Sequence, residues 1–70
     1  MSDHVYKSVE ITGSSPEGVT QAIDRAIAKA SESLRNIDWF EVAEIRGVVA
    51  DGAVGHYQVT LKIGFRLEDS

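Results

Sequence analysis

Seventy residues, 43% of them hydrophobic, suffice for one small core and exclude a second domain of ordinary size. With no cysteine and only two histidines, neither disulfides nor a structural metal can staple so short a chain, and association with further copies becomes the expected source of stability. Eleven acidic against seven basic residues leave a net charge of -4, which disfavours a nucleic-acid backbone or an anionic membrane as partner.

The start Met1-Ser2-Asp3-His4 has no basic-then-apolar signal, and no apolar run approaches the ~20 residues that span a bilayer. The expectation is one cytoplasmic domain over residues 1–70, with no membrane and no nucleic-acid partner. In chain order, the first element is a strand over residues 4–12, where Val5, Val9 and Ile11 alternate with polar residues and Lys7 interrupts the apolar face. Gly13-Ser14-Ser15-Pro16-Glu17 then predicts a stop and a helix start, with Ser15 as cap and Pro16 at the first helical position. Val19, Ala22, Ile23, Ala26, Ile27, Ala30 and Leu34 form one stripe at 3.6-residue spacing, whose alanines permit close approach to a sheet. The helix is expected to end near Asn36, a residue that tolerates the left-handed cap conformation.

A second strand follows from about Trp39 to Ala50, and a turn over residues 51–55 built on Asp51-Gly52 predicts a hairpin. The third strand is the clearest element: Tyr57, Val59, Leu61, Ile63, Phe65 and Leu67 alternate with His56, Gln58, Thr60, Lys62, Gly64 and Arg66, and the first set is expected to cover the helix. The order β-α-β-β, with a right-handed crossover, predicts an α+β fold: a three-stranded antiparallel sheet of order 1-3-2 packed on one helix. On the second strand Phe40, Val42 and Val48 alternate in phase with Glu44 and Arg46, so the uncovered sheet face is expected to be mixed in polarity and to serve as a subunit interface.

Pairing Ala50 with His56 sets Gln58 opposite Val48 and makes Arg46 and Gln58 diagonal neighbours on one face. Trp39 then lies nine residues from Val48, ~30 Å along an extended strand, too far to share one planar ligand with Gln58 of the same chain. Strict alternation also puts Trp39 on the face opposite Arg46, a conflict that a bulge near Glu41, a twisted strand start or a neighbouring chain would resolve. On residue chemistry alone Trp39 is either a stacking platform or a core anchor, Gln58 a two-way amide reader or a plain surface residue, and Arg46 a phosphate ligand or the partner of Glu44 or Glu10. Arg25 and Lys29 make a like-charged row that could join Lys7 or Arg35 in a second anion site, although a solvated helix face explains them more simply. No nucleophile, base or desolvated carboxylate pair points to catalysis, so the chain is not expected to be an enzyme.

The strand ending in ITGSSPEG, the helix after it, the block NIDWFEVAEIRG and the closing HYQVTLKIGFRLE resemble the dodecins, small flavin-binding proteins, over nearly the whole chain. That resemblance implies a hollow homododecamer that stores and sequesters flavin without catalysis. It also implies that Trp39 stacks on the flavin ring, that Gln58 hydrogen-bonds its edge and that Arg46 contacts the ligand. The bacterial type it resembles implies flavin mononucleotide (FMN), with riboflavin or FAD as alternatives. A scaffold for another anionic ligand or for protein is the competing reading; it predicts that Trp39 is dispensable and Phe40 or Val42 is not.

Overall fold

Two-residue alternation at both ends of the chain and a helical stripe between them give strand β1 (Tyr6–Ser15), helix α1 (Val19–Ala30), strand β2 (Ile37–Ala50) and strand β3 (Ala53–Arg66), in a computed structural model that describes residues 3–67. The sheet has the order β1-β3-β2, with both pairings antiparallel, as the crossover argument requires. α1 packs on β1 and β3. Val59, Leu61 and Ile63 of the central strand are fully buried beneath it, each contributing ~1.5–3 kcal/mol of transfer free energy. On the helix the buried positions are Ala22, Ala26 and Ala30, with Val19, Ile23 and Ile27 packed at their flanks.

The small side chains set the spacing between layers. At Gly13 of β1 a methyl group would collide with the Ala22 carbonyl oxygen and come within 2.7 Å of the Ala26 Cβ, so glycine and alanine meet backbone to backbone. Both ends of the helix differ from the sequence expectation. Pro16 holds Ser15 extended, so β1 continues to Ser15, which pairs with Tyr57. Ser15 does not cap α1: its buried hydroxyl accepts the Glu17 N–H at 3.0 Å in a local turn, and Gly18 is the N-cap. Pro16 therefore precedes the helix instead of opening it. At the other end α1 stops at Ala30, six residues before Asn36, and tightens into i→i+3 bonds, Glu32 N–H to Lys29 O at 3.2 Å and Ser33 N–H to Ala30 O at 3.1 Å. Asn36 does adopt positive φ, 63°, but there it turns the chain into β2 and accepts the Arg66 N–H at 3.1 Å.

The hairpin is tighter than the sequence suggested. Asp51 and Gly52, with φ of 53° and 75°, make a two-residue turn with Ala50 opposite Ala53. Gly55 is left unpaired in a bulge, Val48 meets His56, and Gln58 consequently faces Arg46 and not Val48. Further irregularities leave Asp38 and Ala43 of β2 without partners. Among the described residues no helix is long and apolar enough to cross a membrane.

Candidate functional site

The bulge at Ala43 decides what the outer sheet face, opposite α1, presents. Directly paired residues share a face, and Gln58, Thr60, Lys62 and Gly64 point away from the core side of β3. Their β2 partners are Arg46, Glu44, Glu41 and Trp39, so all four lie on that outer face. One extra residue between Val42 and Glu44 thus removes the conflict between Trp39 and Arg46. The same shift corrects the expected interface: Phe40 and Val42 pair with the buried Ile63 and Leu61 and lie on the helix side, leaving Val48 with Glu44 and Arg46 outside.

Arg46, Gln58 and Glu44 form one connected group. The Arg46 Nε donates to Gln58 Oε1 at 2.8 Å and its Nη1 donates to Glu44 Oε1 at 2.9 Å. Glu44 is thus the partner of Arg46, and the ion-pair role and the contact with Gln58 coexist. Both charged side chains stay about half exposed, 51% and 57%, so the pair orients Arg46 more than it stabilises the fold, with ~0–1 kcal/mol expected from such a contact. Because the Gln58 oxygen is engaged, its NH2 group is the part left to donate to a ligand. Beside this group the Thr12 and Thr60 hydroxyls are bonded to each other at 3.0 Å.

Trp39 stands apart from that group. It is 43% exposed, not a core anchor, and its ring lies over Gly64, where an added Cβ would overlap the fused indole atoms. Six residues of β3 separate Gly64 from Gln58, ~20 Å of strand. This is shorter than the ~30 Å inferred from the looser register, yet the amide and the indole of one chain still do not meet. Lys29 pairs with Glu32 at 3.5 Å in solvent, in keeping with a solvated helix face. Glu44 was one of the two partners the sequence offered for Arg46, whereas Gly64 as the floor under the indole and the direct contact of Arg46 with Gln58 escaped the sequence reading. The direct Arg46–Gln58 pairing depends on the Gly55 bulge, and a lone glycine in a strand carries no sign of what covers it.

The element order, the paired strands and the position of the tryptophan can be set beside known proteins. A family model described as Dodecin matches residues 5–68. The chain belongs to the dodecin family. A curated dodecin from Thermus thermophilus is 53% identical over 66 residues, covering 94% of this chain and 96% of that protein. The solved dodecin of Streptomyces coelicolor superposes with a TM-score of 0.94 at 54% identity, covering all of both chains, 100% and 100%. The dodecin of Streptomyces davaonensis gives 0.94 at 54% identity, over 97% of this chain and 100% of that one. Sheet order, helix placement and chain length are therefore those of a dodecin.

Proposed function

We propose that this dodecin is a non-catalytic flavin-binding protein that stores and sequesters FMN as a spherical homododecamer, with residues 1–70 acting as one dodecin domain in the cytoplasm. The observation that carries the reading is the outer face of the sheet. It offers a half-exposed indole backed by Gly64 and, ~20 Å away, an amide whose NH2 is free to donate while Arg46 fixes its oxygen. A planar heteroaromatic ligand with carbonyl groups at its rim fits such residues. Trp39 supplies the stacking surface, worth ~1–3 kcal/mol per ring if it resembles base–aromatic stacking. Gln58 donates to a rim carbonyl, and Arg46 adds a cation suited to the phosphate that distinguishes FMN from riboflavin.

Since Trp39 and Gln58 are too distant within one chain, each site draws them from different protomers. The long apolar hairpin supports such an assembly. Bound flavin supplies the isoalloxazine chromophore; the residues around it bind, orient and shield it.

Titration with FMN tests the reading. Addition of the protein is expected to quench flavin fluorescence strongly through indole contact, and Trp39→Ala is expected to abolish the quenching and weaken binding at least about tenfold, the equivalent of ~1.4 kcal/mol. Mixed assemblies of Trp39→Ala and Gln58→Ala subunits should recover a fraction of intact sites. An intact oligomer that leaves FMN fluorescence unchanged rejects the proposal, and mixed assemblies that recover nothing reject the two-chain site.

A further inference from the structure

Gly64 occupies the central strand where an aromatic ring covers the backbone on the outer sheet face. It is buried, whereas Lys62 and Arg66 on the same face are exposed. Across the sheet its row is Ser8, Gly64 and Trp39. A Cβ at this position would fall among Cε2, Cζ2 and Cδ2, the fused part of the indole. The backbone itself makes no demand for glycine here: Gly52 is the glycine with positive φ among the described residues, and a glycine inside a strand ordinarily weakens it. The need for an absent side chain comes from the ring.

We propose that Gly64 is a positioning residue of the flavin site, its bare Cα giving the Trp39 indole a floor. This rests on the flavin-binding reading above. With one side against the β3 backbone, the ring is held before any ligand arrives, and the surface that remains, in a residue 43% exposed, is presented to a planar partner. A preoriented side chain loses less rotamer freedom on binding, which lowers the ordering cost of association. A methyl group at residue 64 would occupy the space of the fused rings and force Trp39 into another rotamer.

The experiment is Gly64→Ala in the assembled protein, read in two ways. Trp39 is the one tryptophan of the chain, so selectively excited indole emission and the long-wavelength indole band of the near-ultraviolet circular dichroism, beyond the bands of the two tyrosines and two phenylalanines, report on this ring in the ligand-free protein. The expected result is a shift in emission and a weakened near-ultraviolet band at unchanged oligomer size, together with FMN affinity reduced about tenfold, whereas Gly64→Ala on a Trp39→Ala background changes residual affinity no further. If Gly64→Ala alone does not assemble, the double variant is expected to do so because the overlap is gone; a double variant that also fails to assemble overturns the inference. So does an unmoved indole signal, or a moved ring with undiminished FMN affinity, either of which leaves the flavin-binding reading standing. Full FMN affinity in Trp39→Ala alone instead defeats that reading, and the positioning role with it.

Discussion

A single missing atom matters at two glycines of this chain, for different reasons. Gly64 makes room for a ring on the outer face, whereas Gly13 makes room for the helix on the inner one. At Gly13 the obstacle to a side chain is the Ala22 carbonyl oxygen, which belongs to the backbone of α1 and cannot turn aside. Gly13→Ala is expected to push the helix off β1 and to lower stability by ~1–3 kcal/mol, the usual range for overpacking, seen as a lower denaturant midpoint at unchanged m-value. The hydroxyl of Ser15 illustrates how neighbouring chemistry reassigns a residue. Serine before proline has the composition of a helix cap, but proline holds it extended, and it closes a turn on Glu17 at 3.0 Å instead. Arg46 shows the same dependence on context: its partners are Glu44, two residues away in sequence, and Gln58, twelve away, and the register of the hairpin brings the latter to 2.8 Å.

Among the elements β2 carries the most information about function and the least about its own pairing. Read by alternation, it places Trp39 and Arg46 on opposite faces; as folded, the bulge at Ala43 returns them to one face. Deleting Ala43 should restore strict alternation. The arm from Glu44 to Ala50 is fixed by the Asp51-Gly52 turn, and with the unpaired residue gone Val42 adjoins Glu44, so Phe40 and Val42 are expected to stay on the helix side and Trp39 and Glu41 on the outer face. The expected readouts are retained FMN quenching and unchanged access of iodide to the indole, with the far-ultraviolet spectrum largely kept. Loss of FMN quenching with the indole newly shielded from iodide would show that the extra residue at Ala43 is not what sets the face. α1 behaves differently, since its stripe was legible residue by residue: Ala22, Ala26 and Ala30 are its buried positions. Its ends were less legible because serines and a glutamate after Ala30 support a tightened turn as readily as another helical turn.

Taken as a whole, the chain is long and thin, 56 × 20 × 14 Å, because the β2–β3 arm extends beyond the cover of α1. Phe40 is 47% exposed and Val42 41% on the helix side of the sheet, Ile45 is 55% exposed, and Val49 and Val54 near the hairpin end are 72% and 55% exposed. One core of three large buried residues cannot offset so much wetted apolar surface, and the proposed assembly covers it. Replacement of Val42 by Asp is expected to shift the protein to smaller species in size-exclusion chromatography and to lower its melting temperature by several degrees, while wild-type melting rises with protein concentration. Melting independent of concentration in a monomer would count against assembly as the source of stability.

The sequence by itself determined the order of elements, the 1-3-2 sheet and the buried face of β3, because each follows from local periodicity, turn chemistry and chain handedness, which neighbours in sequence are enough to express; the family was legible separately, through the resemblance carried by the blocks NIDWFEVAEIRG and HYQVTLKIGFRLE. The tertiary structure alone decided which side of the sheet Phe40 and Val42 occupy, that Arg46 meets Gln58 directly, and that an indole rests on Gly64. Those depend on unpaired residues at Asp38, Ala43 and Gly55. A bulge adds one residue to one strand and reverses the face of all that follows, and its location is set by the fit of both strands to a shared core and turn, not by the residue that happens to be left out.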